Sequence, residues 1–291
     1  MYLTKDEEKM YNGEYGKLYE WAMRFLAAYG DGLEAERLVK ISAACFDYYR
    51  TLEWVLPPEL YNEFFKSRMA VPVYTNVHPD IECWKEIGMS EKAYQNAKSI
   101  EMKYANMNVF LTGSCAAYLI GWAPAFGSHV ASIESALYVY LNSVLGARTH
   151  RESYPGIFAV ALTGKTPYTG LHTDEGRRGN LLVKVKTELN DTMQYNALGY
   201  HVGAFVTDWD RPVFTGISGD VGTDDLKFIG AALQLQGSVG LYHVVNVTPE
   251  APTIEYAFGG DEPKETITVG KREIKGACEK LSTGGEEKLI T

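Results

Sequence analysis

Asp224–Gln236 reads DDLKFIGAALQLQ, and after Gly237-Ser238 the chain continues through Val239–Val247 as VGLYHVVNV. The first part spaces its apolar residues at helical intervals and predicts a helix. The second part is apolar almost throughout, interrupted by His243, and predicts a strand that is buried within a sheet. A helix followed directly by a buried strand is the repeating unit of an α/β fold.

The same alternation extends outward from this stretch. Thr4 and Glu7 form a capping-box pattern that predicts a helix start. Asn180–Leu189 alternates apolar and polar residues and predicts a half-solvated strand. We therefore predict an α/β fold with alternating helices and mostly parallel sheets. The other predicted strands are 38–43, 109–111 and 266–269, and the other predicted helices are 18–28, 58–65, 90–106, 132–145 and 272–281.

Composition excludes several classes of protein. Of the 291 residues, 46% are hydrophobic and 22% charged, which is typical of folded globular proteins. The formal net charge of −9 argues against nucleic acid or an anionic membrane as the main partner. The N-terminus has acidic residues where a signal peptide would be basic, and no apolar run is long enough to span a bilayer. We expect a cytoplasmic protein.

The first candidate for chemistry is the segment Asn142–Glu152. Arg148 and Arg151 lie three residues apart, close to Asn142 and Ser143, and could form a bidentate cradle for a carboxylate or a phosphate. The alternative is a solvated helix end, where the arginines complement the helix dipole.

Two further segments could carry chemistry. In Gly170–Arg178, His172 lies among acidic residues in a glycine-flanked loop and could transfer protons or bind a metal, although most charged loops are only surface. Cys115 follows a predicted strand and could present its sulfur to a cofactor, although a lone cysteine is more often a buried apolar residue. His243 is expected to be a core histidine, whereas His201 is less easily dismissed.

Taken together, these segments resemble the large subunit of the aconitase X family. The resemblance covers essentially all 291 residues, and the run Asn142–Thr149 (NSVLGART) is its most specific part. The matching pieces, in the family's order, are MYLT at 1–4, NGEYG at 12–16, AAYLIG at 116–121, ESA at 134–136, ALTGKTP at 161–167, GLH at 170–172, ALGY at 197–200 and YHVVNVTPEA at 242–251.

The resemblance implies an iron–sulfur hydro-lyase that removes water from a small anionic hydroxy acid, such as 5-phosphomevalonate or cis-3-hydroxyproline. It implies a separate or fused small swivelling domain as partner. It makes Cys115 the candidate cluster ligand and Asn142, Ser143, Arg148 and Arg151 the candidate substrate cradle. His172 and Glu134 become candidates for proton transfer or orientation. We expect two subdomains, at about 1–110 and 111–291.

Two departures from the family pattern keep alternatives open. The family usually carries a histidine within a small-residue stretch near residues 42–47, where this chain has SAACFDYY at 42–49. Bulky aromatic side chains at 46–49 could reshape a pocket for a different small acid. The family chain is also expected to continue past residue 291 into a cysteine-containing segment that supplies the other cluster ligands. A non-catalytic binding or scaffold subunit is therefore the competing hypothesis.

Overall fold

Thr4 and Glu7 cap the first helix as the sequence predicts: the Thr4 hydroxyl accepts from the Glu7 amide, and the Glu7 carboxylate accepts from the Thr4 amide. The structure is a computed structural model that describes residues 1–46, 55–75, 81–112, 116–217 and 220–282. Its α-helices are α1 (Lys5–Tyr11), α2 (Lys17–Gly32), α3 (Pro58–Phe64), α4 (Glu91–Tyr104), α5 (Ser135–Ser143), α6 (Tyr154–Thr163), α7 (Thr192–Gly203), α8 (Thr223–Gly237), α9 (Ile254–Phe258) and α10 (Lys271–Leu281).

Its strands are β1 (Leu38–Lys40), β2 (Ala44–Phe46), β3 (Val73–Thr75), β4 (Val109–Phe110), β5 (Ala131–Ser132), β6 (Lys165–Pro167), β7 (Leu181–Val185), β8 (Pro212–Thr215), β9 (His243–Val244) and β10 (Glu265–Val269). Short 3-10 helices span Ala117–Ile120, Gly170–His172 and Glu175–Arg177. No helix in the described ranges is long and apolar enough to cross a membrane.

The chain divides into two compact units that are discontinuous in sequence. Unit 1 comprises Met1–Tyr138 and Arg148–Thr173, and unit 2 comprises Val139–Ala147 and Asp174–Thr291. The boundary expected near residue 110 falls inside unit 1. Helix α5 begins in unit 1 and ends in unit 2.

Unit 1 is built around a four-stranded sheet in the order β4-β3-β2-β5, in which every neighbouring pair is parallel. Helix α6 packs beside β2 and is buried from Gly156 to Thr163, as expected for a helix inside the core. Phe46 on β2 packs against Phe158 of α6 and against Tyr104, with ring centroids 5.2 and 5.7 Å away. An antiparallel pair, β1 with β6, completes the unit's described strands.

Unit 2 has a second parallel sheet, in the order β10-β7-β8-β9. Helices α7 and α8 pack closely against each other because glycine stands at their contact. A Cβ atom on Gly199 would lie 2.4 Å from the Ile229 carbonyl oxygen, so only glycine fits there. The two parallel sheets confirm the predicted α/β fold.

Two predicted strands differ from those observed. Strand β7 was predicted to be half-solvated, but it is paired on both sides within the sheet. Lys184 is the only exposed residue of β7, so the strand is interior. The stretch predicted as one strand over 239–247 forms only the short strand β9. The Tyr242 amide donates to Ser143 Oγ, and the Gly240 carbonyl accepts from Asn142 Nδ2, so α5 side chains take the bonds that a longer strand would have used.

Candidate functional site

The carboxyl ends of the unit 1 strands define the first candidate site. The four strands are parallel and end at Phe46, Thr75, Phe110 and Ser132. In open α/β sheets, ligands bind outside the carboxyl ends of the strands. Cys115 follows β4 and Glu134 follows β5 in sequence, so both come after strands that end at this edge. Cys115 itself lies outside the described residues.

Two threonines extend the pairing of β3 and β4 past the strand ends. Thr75 is fully buried; its hydroxyl donates to the Phe110 carbonyl (3.3 Å) and accepts from the Thr112 amide (3.1 Å). The Thr112 hydroxyl donates in turn to the Thr75 carbonyl. These bonds hold the chain firmly at Thr112.

Glu134 occupies the N-cap position of α5. Its carboxylate accepts a hydrogen bond from the Leu137 amide, three residues along the chain. A negative charge at this end of a helix is favourable because the free amides and the helix dipole stabilise it. The structure thus gives Glu134 a capping contact at the carboxyl edge of the sheet.

Arg148 and Arg151 do not lie at a helix end, which was the alternative to the predicted cradle. Helix α5 ends at Ser143, and the backbone of 148–151 runs beside 129–132, with parallel bridges from His129 to Arg148 and from Ser132 to Arg151. The Cα atoms of Arg148 and Arg151 are three positions apart along an extended backbone, which corresponds to about 10 Å. Arg151 is exposed beside the carboxyl end of β5, whereas Arg148 donates from Nη1 to the His172 carbonyl at 3.0 Å.

Asn142 and Ser143 belong to a buried network inside unit 2. Both side chains are almost completely buried. Arg177 donates to Asn142 Oδ1 (3.0 Å) and to the Asn142 carbonyl (2.9 Å), and it forms an ion pair with Glu250 at 2.6 Å. Arg177 is only 3% exposed, so this ion pair is protected from water. We call Arg177, Glu250 and Asn142 the arginine hub.

His172 lies in a cluster of three histidines in unit 1. Its Nδ1 is 2.9 Å from Nδ1 of His129, and its ring centroid is 4.6 Å from that of His150. His172 has no exposed surface. Sequence reasoning singled out His172 but missed His129, because two residues 43 positions apart give no local signal.

The other two histidines of note lie in unit 2. His243 is buried and donates from Nε2 to the Arg177 carbonyl at 2.9 Å, which bears out the expectation of a core histidine. Burial lowers the pKa of His243. His201 lies on α7, and its ring is edge-on to that of Phe205 just after the helix, with centroids 5.3 Å apart. Burial likewise lowers the pKa of His201.

Glu152 is a buried acid that sequence reasoning did not single out. It is 3% exposed, and Oε1 accepts from the Thr166 hydroxyl at 3.1 Å. Burial raises the pKa of Glu152 to about 7. Burial, with the charge of Glu152 as a second cause, raises the pKa of the nearby Tyr29 to about 12.

Comparison with known proteins now identifies the family. The model of the aconitase X first domain matches residues 1–175, and that of the second domain matches residues 179–279. The chain belongs to the aconitase X family. The predicted family is therefore confirmed. The crystal structure of Thermococcus kodakaraensis aconitase X in its holo-form is similar, with a TM-score of 0.80 and 33% identity over 97% of this chain and 70% of that chain.

Curated aconitase X relatives indicate the reaction class. The phosphomevalonate dehydratase large subunit of Methanothermobacter thermautotrophicus is 41% identical over 99% of this chain and 71% of its own length. That of Methanocaldococcus jannaschii is 37% identical over 99% of this chain and 73% of its own length. The cis-3-hydroxy-L-proline dehydratase of Pseudomonas aeruginosa is 31% identical over 97% of this chain and 49% of its own length. At the level of the family, these names confirm the expected hydro-lyase, a carbon–oxygen lyase.

The described residues do not fit an iron–sulfur cluster. Such clusters are held mainly by several cysteine thiolates. Cys45 is buried in β2 of unit 1, while Cys278 lies on α10 of unit 2, and the described cysteines form no disulfide. Within the described ranges, no three histidine, cysteine or acidic side chains are grouped so that they could hold a metal ion.

Proposed function

We propose that this aconitase X chain is the catalytic-core part of a hydro-lyase that removes water from a small anionic hydroxy acid of the 5-phosphomevalonate type. The observation that carries the proposal is the identity of 37–41% to two phosphomevalonate dehydratase large subunits over 99% of the chain. The identity to the cis-3-hydroxy-L-proline dehydratase is lower, at 31%, and the chain covers only half of that protein.

The spacing of the arginines supports a substrate with two anionic groups. Arg148 and Arg151 start about 10 Å apart along an extended segment, in which residues three apart face opposite sides, so they do not form one bidentate clamp on a single carboxylate. 5-Phosphomevalonate carries a carboxylate at one end and a phosphate at the other, whereas cis-3-hydroxyproline carries one carboxylate. We propose that the two arginines bind opposite ends of the substrate.

Elimination of water needs a group that removes a proton and a group that assists the departing hydroxyl. We propose Glu134 and His172 for proton transfer or orientation, and Glu134 is supported by its place at the carboxyl edge of the sheet. Asn142 and Ser143 were predicted as substrate ligands. Their bonds to Arg177, Gly240 and Tyr242 support a framework role for them instead.

An iron–sulfur cluster and a small swivelling subunit remain part of the proposal. The name "large subunit" in the relatives supports a small partner. Cys115 is proposed as one cluster ligand, and the described residues do not supply the others. A cytoplasmic location is proposed on the same family grounds.

The aromatic substitution at Phe46 does not support a reshaped pocket. Phe46 is fully buried between Phe158 and Tyr104, so its ring fills the core of unit 1. Residues 47–49, the rest of that aromatic stretch, lie outside the described residues.

The decisive experiment is anaerobic purification of the natural chain with its small partner. Iron and sulfide are measured, followed by dehydration of 5-phosphomevalonate and of cis-3-hydroxy-L-proline. We expect turnover of 5-phosphomevalonate and a loss of at least a hundredfold on Cys115→Ala. Cys278→Ala, in unit 2, is the matched control and should retain activity. If neither acid is dehydrated although cluster and partner are bound, the chain is a non-catalytic binding subunit.

A further inference from the structure

The short contact between His129 and His172 limits how many protons the two rings can hold. Their Nδ1 atoms are 2.9 Å apart, which is a hydrogen bond. One nitrogen must donate and the other must accept, so at least one of the two imidazoles is neutral. If both rings are protonated, both nitrogens are donors and the bond breaks.

This bond braces the backbone that holds Arg148. His172 ends the 3-10 turn Gly170–His172, and its carbonyl accepts from Arg148 Nη1 at 3.0 Å. The backbone of His129 forms a parallel bridge with Arg148 itself. The backbone of His129 therefore contacts Arg148. The ring of His129 contacts His172, whose carbonyl accepts the hydrogen bond from Arg148. We call His129, His172 and Arg148 the histidine brace.

Aromatic groups surround the two rings. The ring of His150 lies edge-on to His172, with centroids 4.6 Å apart, and the ring of Tyr168 lies edge-on to His129 at 6.0 Å. The guanidinium of Arg37 stacks over Tyr168 at 4.3 Å. Since His172 is fully buried, these contacts fix the orientation of the two rings.

We propose that His129 is a positioning residue, which acts through His172 to fix the guanidinium of Arg148 for the anionic substrate. The inference rests on the proposed function, since it takes Arg148 as a substrate ligand.

The test compares His129→Leu, which removes the ring bond, with His129→Asn, whose amide can replace Nδ1 as donor or acceptor without titrating. His201→Asn, in unit 2, is the control. The first readout is hydrogen exchange of the His172 and Thr173 amides, which bond to the Thr169 and Gly170 carbonyls. We expect at least tenfold faster exchange in His129→Leu, and wild-type exchange in His129→Asn and in the control.

The second readout is the Kd of 5-phosphomevalonate, measured by calorimetry on the chain with its small partner. We expect His129→Leu to raise Kd about tenfold and His129→Asn to restore the wild-type value.

Unchanged exchange or unchanged Kd in His129→Leu overturns the inference. If His129→Leu does not fold, His129→Ala, which also removes the ring bond, takes its place, and unchanged exchange or unchanged Kd in that variant overturns the inference equally. Tight binding without turnover in the wild-type complex would defeat the proposed hydro-lyase, yet the exchange and Kd comparisons would still decide the role of His129.

Discussion

Each unit of the molecule fixes one arginine by different means. In unit 2, the arginine hub surrounds Arg177 with a carboxylate, an amide oxygen and a carbonyl, and only 3% of the residue is exposed. In unit 1, the histidine brace holds Arg148 through the His172 carbonyl, supported by a bond between two imidazoles. The hub depends on an ion pair, whereas the brace depends on a hydrogen bond between two imidazole rings.

The comparison separates two uses of a guanidinium group. A buried ion pair is costly to break because loss of one partner leaves an uncompensated buried charge. The hub in unit 2 is therefore a structural contact, whereas we propose that Arg148 in unit 1, positioned through the His172 carbonyl, binds an anion.

We expect the largest effect on stability from removing the carboxylate charge of Glu250 in the arginine hub. Glu250→Gln keeps the shape of the side chain but leaves Arg177 as an uncompensated buried cation. We expect the free energy of unfolding of unit 2 to fall by about 3–5 kcal/mol. Chemical denaturation followed by hydrogen exchange of the unit 2 amides measures the loss.

Two controls accompany this change. The double variant Arg177→Met with Glu250→Leu removes both charges and should recover most of the stability. Lys275→Ala breaks the exposed pair of Lys275 with Glu279 and should cost at most about 0.5 kcal/mol. A loss for Glu250→Gln no larger than that for Lys275→Ala would mean that the hub is not the anchor of unit 2.

The next effect concerns Glu152, a buried acid in unit 1. Burial raises the pKa of Glu152 to about 7, whereas an exposed glutamate titrates near 4.5. Between these values the folded chain retains a proton that the unfolded chain releases, so stability falls as the pH rises. The total loss across this window is about 3 kcal/mol, and it is complete above about pH 7.

Glu152→Gln should remove this pH dependence. The uncharged amide retains the shape of the protonated acid, so the variant should exceed wild type in stability at pH 8 and match it near pH 4.5. Thermal unfolding between pH 4.5 and pH 8 gives the comparison. Parallel stability profiles for the two proteins would refute the assignment of a raised pKa.

The smallest effect concerns packing in unit 2, which should not depend on pH. Gly199→Ala places a Cβ 2.4 Å from the Ile229 carbonyl and forces α7 away from α8, at a cost of about 1–3 kcal/mol. Gly276→Ala on α10 is the control, since nothing lies within 4 Å of its added methyl. It should stabilise the helix by about 0.5–1 kcal/mol. Calorimetric midpoints at pH 6 and pH 8 test both values, and equal shifts for the two variants would show that α7 and α8 can separate freely.

Local signals in the sequence were sufficient for many elements of the fold. The Thr4–Glu7 capping box and the periodic pattern of α8 placed helix starts within a residue or two of those observed. The short strand β9 was overestimated, because an apolar run shows burial but does not show where backbone groups bond. The partners of that run are Asn142 and Ser143, roughly a hundred residues away. The spacing of apolar residues within a short stretch of sequence does not show hydrogen-bond partners that lie so far away along the chain.

The candidate site was less accessible from the sequence. His172 and Arg148 were singled out by residue type, but the contact that joins them and the part played by His129 depend on the tertiary fold. Arg148 and Arg151 were predicted as one cradle, with a solvated helix end as the alternative, whereas backbone pairing with 129–132 makes the segment extended. Glu152 gave no signal, since the burial that shifts its pKa arises only when α6 packs into the core.

The interleaving of the two units has a consequence for dividing the gene. Residues 139–147 lie between two parts of unit 1 in the sequence, yet they fold with unit 2. A single break after Thr173 would therefore leave Asn142 and Ser143 on one polypeptide and their partners Arg177 and Tyr242 on the other. The two fragments would each carry half of a hydrogen-bonded network. Co-expressed halves should then find each other by reassembling that network, while either half made alone should be prone to aggregation.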